Sequence, residues 1–291
     1  MQKVNPDLSV IILSYKSKEH LKALLPSVFA STKKYTYEVV VVDNDSRDGT
    51  AEAIESLLPS IPNLKLIRNK NNGFAAGNNI GIKASSGKYI LLLNPDTKVK
   101  PDTFEVMLDI MENRPQVGIS GCKIIKPDGK LDLACRRRFP NPWNSFKRLF
   151  LLSNKDYNYT NISEDQEIEV DSVVGAFLLI RKSVIDKIGL LDESFFMYGE
   201  DLDWCWRCKE TGLKVLYYPK TFITHYKGSS SAKVPFKALK WFHDSMWIFY
   251  TKHYASKYPK VFSWLVFLAV YLRLSILVII NLFKSKPVVS K

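Results

Sequence analysis

The sequence predicts an α/β fold in which helices flank a mostly parallel sheet. Short apolar runs rich in β-branched and aliphatic residues occur at 8–14, 38–42 and 89–93. Such runs are typical of strands that are buried on both faces of a parallel sheet. Segments with helical periodicity lie between them, and regular alternation of strand and helix is the pattern of an α/β domain.

The other elements follow from the same kinds of pattern. In the first half of the chain, helices are predicted at 18–30, 48–58 and 75–85, with a short strand at 64–68. In the second half, the pattern predicts a strand with a hairpin, a core segment, a helix after a turn, and another strand, at 117–133, 173–180, 195–212 and 214–218. Parallel sheets bind ligands at the carboxyl ends of their strands, so the residues there form the candidate site.

Polar side chains lie at three of these strand ends: Ser14 and Tyr15, Asp43 and Asn44, and Asn94 with Asp96. An aspartate after a strand also serves as an ordinary helix N-cap, and we interpret Asp48 in that way. Asp43 and Asp96 leave their strands directly, so we interpret them as functional.

The chain is strongly basic, with 42 Lys and Arg residues against 29 Asp and Glu residues and a net charge of +13. Such a surface attracts polyanions and anionic lipid head groups. No nucleic-acid-binding motif accompanies the charge, and the turn after the first strand lacks the glycine fingerprint of dinucleotide-binding enzymes. Phosphorylated substrates and membrane surfaces are therefore the expected partners, and nucleic acid is not.

The four cysteines are too few for a disulfide scaffold, and the N-terminus lacks the pattern of a signal peptide. We therefore expect the N-terminal domain to be cytosolic and reduced. Cys205-x-x-Cys208 suggests zinc or redox chemistry as one alternative. Because the pair falls within a predicted helix, with no second pair close in sequence, we interpret both cysteines as structural.

The C-terminal segment 262–283 is apolar and long enough to cross a membrane, with Arg273 as its only charged residue. A central arginine costs about 2.5–3.5 kcal/mol on insertion scales. A helix that lies in the membrane interface is therefore an alternative to a helix that spans it. Both alternatives predict association with a membrane.

Carboxylates gather at Asp43, Asp96 and 200–203, and His225 follows them. In so basic a chain, such a cluster indicates a bound cation or a proton to be moved. Oxygen ligands suit Mg²⁺ or Mn²⁺, and a histidine favours Mn²⁺. For 200–203 the ordinary alternative is the acidic first turn of a helix.

Five segments, in this order, together resemble the family 2 glycosyltransferases, especially their rhamnosyltransferase-like branch: VVVVDNDSRDGT (39–50), NKNNGFAAGNNIGI (69–82), LLLNPDT (91–97), FFMYGEDLDWCWR (195–207) and THYKGSS (224–230). The resemblance implies a GT-A domain over 1–230. Its half at about 1–100 would bind the nucleotide sugar, and its half at about 101–230 would bind the acceptor. The region 231–291 would be helical and membrane-associating.

The resemblance also implies roles for residues at the donor site. The nucleotide would lie against Ser14, Tyr15 and Asp43, and the donor sugar would be bordered by the segment that holds Asn72, Gly73, Phe74 and Asn78. Many relatives carry Asp-x-Asp as the metal motif, whereas this chain has Asn94-Pro95-Asp96. The metal ligands implied are therefore Asp96 and His225, with Mg²⁺ or Mn²⁺ as the cofactor.

For catalysis, the family's general base maps onto Asp201, with Glu200 and Asp203 in support. Trp206 is expected to stack on an acceptor sugar or to pack in the core, with the same alternatives for Trp204. Arg207 is assigned to a phosphate or to fixing the acidic cluster. The basic loop of Arg136, Arg137 and Arg138 suits the diphosphate of a lipid-linked acceptor, and a solvated loop is the alternative.

The function implied is inverting transfer of a sugar from a nucleoside-diphosphate donor to a saccharide acceptor, in cell-surface polysaccharide biosynthesis. The branch suggests rhamnose from dTDP-rhamnose as the donor, a lipid-diphosphate-linked acceptor, and a location at the cytoplasmic face of the cell membrane. The alternative function is a catalytically silent protein of the same fold that binds sugar nucleotides or glycans.

Overall fold

One mixed sheet forms the centre of the computed structural model, which describes residues 5–150, 157–226 and 234–284. Within these residues the sheet has nine strands, in the order β3-β2-β1-β4-β8-β6-β9-β5, with β7 also paired to β9. The strands are β1 (Leu8–Ser14), β2 (Tyr37–Asn44), β3 (Leu64–Asn69), β4 (Tyr89–Leu93), β5 (Thr97–Val99), β6 (Val117–Ile125), β7 (Ile168–Val170), β8 (Phe177–Arg181) and β9 (Lys214–His225).

Helices cover the sheet and extend beyond it at the C-terminal end. They are α1 (Lys18–Phe29), α2 (Thr50–Glu55), α3 (Phe74–Lys83), α4 (Thr103–Asn113), α5 (Pro142–Phe150), α6 (Lys182–Ile188), α7 (Glu200–Glu210), α8 (Pro235–His253) and α9 (Lys260–Leu282). The α/β class and the strands predicted from apolar runs are confirmed, because β1, β2 and β4 are buried along nearly their whole length.

The N-terminal part of the sheet is parallel, as expected. The register of β1 and β2 pairs Ser14 with Asp43, so the polar ends of both strands meet at one edge. Antiparallel pairing enters at β8, which runs against both β4 and β6, while β6 and β9 are again parallel. The second half of the sheet therefore contains both parallel and antiparallel pairs, which the apolar runs did not indicate. Alternation of strand and helix predicts parallel pairs, whereas antiparallel neighbours need no crossover helix between them.

The C-terminal helices pack on the sheet domain through a buried carboxylate. Asp203 of α7 is fully buried, and its oxygens lie 2.8 Å from Arg207 Nε, 2.8 Å from Lys252 Nζ and 2.9 Å from His253 Nε2. Lys252 and His253 belong to the last turn of α8. The predicted domain boundary at 230/231 lies outside the described residues, and α8, beyond it, is joined to α7 by these charges.

α9 is the apolar helix that the sequence predicted, and it packs along α8. Among the residues that the structure describes, it is the one helix long and apolar enough to cross a membrane by length and composition. Tyr250 and Ser263 share a hydrogen bond of 3.0 Å, and the rings of Trp247 and Phe267 are 5.2 Å apart. Most of the α9 surface remains exposed, since only 11% of its most apolar window is buried.

Arg273, the central charge of α9, faces α8. Its Nη1 lies 2.8 Å from His243 Nε2, and His243 Nδ1 lies 2.8 Å from the Leu239 carbonyl oxygen. The carbonyl can only accept, so Nδ1 carries the hydrogen and Nε2 accepts from the arginine. Burial, and the charge of Arg273, lower the pKa of His243 and keep it neutral. The guanidinium group thus has a protein partner, which reduces the free-energy cost of carrying this charge on an apolar helix.

Asp203→Ala is expected to destabilise the chain by about 3–5 kcal/mol, because Arg207, Lys252 and His253 lose their shared, fully buried carboxylate partner together. Urea unfolding followed by circular dichroism measures this loss. The matched control is Asp186→Ala, which breaks the exposed Asp186–Lys182 pair and is expected to cost less than about 1 kcal/mol. Equal losses in the two variants would contradict the role of Asp203.

Candidate active site

A large cavity of about 1590 Å³ lies at the carboxyl ends of β1, β2 and β4. One side is formed by the segments after these strands, including Tyr15, Asn44 and Asp96. The opposite side is formed by α8 and α9. The parallel register of β1, β2 and β4 predicts a site at this edge, and the cavity lies there.

The pairing of β5 with β9 brings Asp96 beside His225. The Tyr226 amide donates to the Asp96 carbonyl oxygen at 2.8 Å, and Asp96 Oδ1 lies 3.3 Å from His225 Nε2. Asn94 Nδ2 lies 3.5 Å from the same ring nitrogen. The Asn94-Pro95-Asp96 motif and the His225 motif therefore meet in the cavity, although they are far apart in the sequence.

Asp132 is a site residue that the sequence interpretation missed. Its Oδ2 lies 3.6 Å from His225 Nδ1, while its Oδ1 accepts from the Ala134 amide at the start of a short 3₁₀ turn. The imidazole thus lies between two carboxylates. Burial alone would lower the pKa of His225, but hydrogen bonding to Asp132 and Asp96 and their negative charges outweigh it and raise the pKa.

Asp96 and His225, the two metal ligands expected from the resemblance, lie next to each other in this group. In the described ranges, no set of three or more His, Cys, Asp or Glu residues is arranged to hold a metal ion. Mg²⁺ is commonly bound by one or two carboxylates together with substrate phosphates and water. The Asp96 carboxylate and the His225 imidazole therefore fit a cation that is shared with a diphosphate, rather than an all-protein metal centre.

Asp201 stands at the start of α7 and is held by three separate contacts. Its Oδ2 accepts from Arg137 Nη2 at 2.9 Å and from the Gly175 amide at 3.0 Å, and its Oδ1 accepts from the Leu202 amide at 2.7 Å. Arg137 also donates to the Val173 carbonyl oxygen at 2.7 Å. Both charged side chains are nearly buried, so the carboxylate is fixed in position and keeps its counter-ion.

Glu200 lies beside Asp201 in the cavity wall, and its environment is different. It is buried, and within the described residues its Oε2 has no hydrogen-bond partner. Burial and the negative charge of Asp201 raise the pKa of Glu200 to about 8. At neutral pH the side chain is therefore mainly a neutral acid, which can donate a hydrogen bond.

The three arginines of the predicted basic loop do not form one solvent-facing cluster. Arg136 is buried and donates to the carbonyl oxygens of Ser163 and Ile162, and Arg137 is paired with Asp201. Arg138 is exposed, with its guanidinium carbon 4.1 Å from the centre of the Tyr159 ring. The expectation of one cluster of three phosphate-binding arginines is therefore corrected for Arg136, which binds backbone carbonyl groups. Arg137 lines the cavity beside Asp201, and a phosphate contact there stays a prediction.

Trp206 and Arg207 lie on the side of α7 that faces α8 and do not line the cavity. Trp206 packs against Phe139 and His253, with ring centres 4.7 and 4.6 Å apart respectively. Its assignment to an acceptor sugar is thus replaced by the packing alternative. Arg207 binds Asp203 and the carbonyl oxygens of the segment before α7, which bears out its second assignment, fixing the acidic cluster. Trp204 is fully buried in the core.

The strand ends Ser14 and Asp43 lie behind the cavity wall, and neither lines the cavity. Ser14 Oγ and Asp43 Oδ1 are buried and have no hydrogen-bond partner in the described part of the chain. A second cleft of about 440 Å³ lies between the segments that follow β1 and β2, and Tyr15 lines both this cleft and the cavity. The residues that follow Ser14 and Asp43 in the chain line this cleft, whereas Ser14 and Asp43 themselves line neither cavity.

The N-x-G-F segment contributes different residues from those expected. Gly73 and Phe74 line the cavity, and so does Asn71, which the sequence interpretation missed. Asn72 is exposed and does not line it. Asn78 is buried, and its amide donates to the Phe74 carbonyl oxygen at 2.9 Å. The assignments of Asn72 and Asn78 to the donor sugar are corrected accordingly.

Gly73 is required at its position by backbone geometry. Its φ is +103°, and a Cβ there would lie 2.6 Å from the Phe196 carbonyl oxygen, which also accepts from the Phe74 amide. Gly77 has a role in packing a helix against a strand. A Cβ at Gly77 would lie 2.4 Å from Leu13 Cδ1, so this glycine lets α3 pack closely on β1.

Comparison with known proteins agrees with this fold. The model of Glycosyl transferase family 2 matches residues 9–189. The chain belongs to this family. Among curated relatives, an N-acetylglucosaminyl-diphospho-decaprenol L-rhamnosyltransferase of Mycobacterium tuberculosis is 26% identical over 88% of each chain. The rhamnosyltransferase WbbL of Escherichia coli K12 is also 26% identical, over 80% of this chain and 88% of its own.

Solved structures share the fold at low sequence identity. GalNAc-T7 with UDP, GalNAc and Mn²⁺ aligns with a TM-score of 0.59 at 17% identity, over 77% of this chain and 44% of its own. S. aureus TarS with UDP-GlcNAc aligns with a TM-score of 0.59 at 16% identity, over 92% of this chain and 72% of its own. The GT-A fold expected for this family 2 glycosyltransferase is thereby confirmed.

Glu200 is expected to make stability depend on pH. Its pKa is about 8 in the folded chain and near the ordinary 4.5 in the unfolded chain, so folding takes up a proton between these values. The free energy of unfolding should therefore fall as the pH rises through this window, by at most about 1.4 kcal/mol per pH unit from this group. Glu200→Gln should remove that part of the slope in urea unfolding.

The matched control for this measurement is Glu19→Gln, because Glu19 is largely exposed and lies in an ordinary surface pair. The control should keep the wild-type slope. If Glu200→Gln keeps it as well, Glu200 is not buried as a neutral acid.

Proposed function

We propose that this glycosyltransferase moves a sugar from a nucleoside-diphosphate donor to a saccharide that is carried on a lipid diphosphate. The observation that carries the proposal is the Asp201 carboxylate, held by Arg137 in the same cavity as Asp96 and His225. The names of the rhamnosyltransferase relatives support dTDP-rhamnose as the first donor to test. They also support an N-acetylglucosaminyl diphosphate on a polyprenol as the first acceptor.

At the donor side, the nucleotide would bind where β1 and β2 end. The ring of Tyr15, which lines both clefts, offers a stacking surface for a base. The oxygens of Ser14 and Asp43 are buried and line neither cleft, so a base would reach them only if the segments after β1 and β2 moved. Gly73 and Phe74 would border the donor sugar, since both line the cavity. The strand register that pairs Ser14 with Asp43 supports a single binding site for these groups.

Asp96 and His225 would hold a divalent cation, Mg²⁺ or Mn²⁺, together with the donor diphosphate. Asp132 lies on the other ring nitrogen of His225 and would orient the imidazole, as carboxylates commonly do for metal-binding histidines. When bound, the cation supplies positive charge that stabilises the diphosphate as a leaving group.

Asp201 is proposed as the general base. Its carboxylate would accept the proton of the acceptor hydroxyl while that oxygen bonds to the anomeric carbon and the bond from this carbon to the diphosphate oxygen breaks. Attack from the face opposite the diphosphate inverts the anomeric centre. Arg137 and the Gly175 amide fix the carboxylate at one position, so its proton-accepting oxygen is oriented before the acceptor binds.

The proposed location is the cytoplasmic face of the cell membrane. The exposed apolar surface of α9 supports contact with a membrane, and exposed Lys257 and Lys260 before the helix core and Lys284 after it suit anionic head groups. The neutral His243 partner of Arg273 would let the helix enter an apolar phase with its charge turned towards α8.

Asp201→Asn is expected to lower kcat by about 10²–10⁴-fold, the usual contribution of a positioned base, and to leave donor binding unchanged. Release of nucleoside diphosphate is measured with dTDP-, UDP- and GDP-sugars, with Mn²⁺ or Mg²⁺ and the polyprenyl acceptor. Calorimetric titration measures donor binding in the same preparations.

The matched control for this variant is Asp186→Asn, an exposed aspartate of α6 that should keep wild-type turnover. Wild-type turnover in Asp201→Asn would remove Asp201 as the base. Donor binding by the wild type without any turnover would support the catalytically silent alternative.

A further inference from the structure

We propose that the face of α9 turned to the active-site cavity binds the hydrocarbon chain of the acceptor lipid. This inference rests on the proposed function and assigns a site to one part of its substrate. The residues concerned are Phe262, Leu265, Val266, Ala269 and Val270, which we call the α9 wall. The same cavity holds Asp201, Asp96 and His225, so the wall and the reacting groups share one continuous space.

The α9 wall is one face of the helix. Its members are spaced at i, i+3, i+4, i+7 and i+8, which places them along a single stripe. Leu265 is 58% exposed and Ala269 is also exposed, so part of this stripe contacts solvent in the cavity. An apolar stripe that faces an open cavity is unfavourable in water, and its burial by an apolar ligand would stabilise the complex.

A second apolar stripe lies elsewhere on the same helix. Val261, Trp264, Leu268 and Leu272 are more than half exposed, and none of them lines the cavity. This outward stripe is sufficient to place the helix against a bilayer. Membrane association therefore does not account for the α9 wall, which has apolar residues where a protein acting on a soluble saccharide would be expected to carry polar ones.

The position of the wall is fixed by α8. The Arg273–His243 and Tyr250–Ser263 hydrogen bonds and the Trp247–Phe267 ring contact hold the two helices together along their length. α8 is in turn joined to α7 through Asp203. The wall is thus held to the helix that carries Asp201, and a bound chain would be positioned relative to the base.

Three chemical features of the cavity indicate which molecule binds there. A saccharide hydroxyl must reach Asp201, and an apolar group must cover the α9 wall. Exposed Lys237 of α8 lines the same cavity and suits a phosphate between these two groups. A saccharide joined through diphosphate to a polyprenyl chain satisfies all three, whereas a bilayer phospholipid supplies an apolar chain and a phosphate but no saccharide hydroxyl for Asp201.

The test compares Ala269→Trp, which places an indole on the wall, with Leu268→Trp, which places it on the outward stripe. Each variant is assayed with the same N-acetylglucosaminyl diphosphate on a decaprenyl and on a citronellyl chain. For Ala269→Trp, we expect kcat/KM with the decaprenyl acceptor to fall about tenfold or more, the equivalent of roughly two methylene groups no longer buried.

With the citronellyl acceptor, kcat/KM of Ala269→Trp should stay within about twofold of the wild-type value, because the short chain covers little of the α9 wall. Leu268→Trp should leave kcat/KM for both acceptors within about twofold of the wild-type value. The proposal would be overturned if Ala269→Trp lowered kcat/KM equally with both acceptors, or lowered it with neither. It would also be overturned if Leu268→Trp showed the same dependence on chain length.

A second measurement does not require turnover. Decaprenyl diphosphate with a diazirine in its chain is photolysed with the wild-type protein, and the labelled residues are identified by mass spectrometry. We expect labelling of Leu265, Val266 or Ala269 that unlabelled decaprenyl diphosphate suppresses. Labelling confined to the outward stripe, or labelling without competition, would overturn the chain site. Competed labelling of the wall without turnover of any donor would retain the site and count against the proposed function.

Discussion

The buried ion pair between Arg137 and Asp201 is the interaction on which the active-site geometry depends. It joins the loop that carries Arg137, after β6, to the start of α7. The Gly175 amide donates to the same carboxylate and so joins the segment before β8 to it. Backbone hydrogen bonds of 2.9 Å in both directions between Arg137 and Ser172 align these segments. A buried charged pair is a weak source of stability, since desolvation offsets most of the attraction. Its effect here is positional, because it fixes one carboxylate in a cavity whose ligand would change its bonds during the reaction.

The sheet and the C-terminal helices bring the rest of the site to that carboxylate. Pairing of β5 with β9 sets Asp96 against His225, and Asp132 approaches the other side of the imidazole from a 3₁₀ turn. α8 closes the opposite side and carries α9 with it. The C-terminal region is therefore part of the cavity wall, and a membrane that binds α9 would lie beside the acceptor end of the site. The strand ends and the apolar helix α9 are therefore parts of one continuous structure.

Local sequence was sufficient for most of the fold. The apolar runs predicted β1, β2 and β4. The N-cap interpretation of Asp48 is off by one residue, because Gly49 is the N-cap of α2 and Asp48, before it, accepts a hydrogen bond from the Thr50 amide at 3.1 Å. The motifs also found Asp96, Asp201 and His225. Asp132 and Asn71 were missed because their place in the cavity depends on which distant segment they meet. Arg136 and Trp206 were misassigned for the same reason: a basic triplet or a helical tryptophan does not reveal whether it faces solvent, a carbonyl group or another helix.

The most direct test of the central claim is a double-mutant cycle in kcat for Arg137→Met and Asp201→Asn, with folding of each variant checked by thermal unfolding. If Arg137 acts by positioning the Asp201 carboxylate, Arg137→Met alone lowers kcat, and it causes no further loss when Asp201 is already asparagine. Donor binding should be unchanged in all three variants. Losses that multiply in the double variant would contradict the account, because Arg137 would then contribute to catalysis independently of the base.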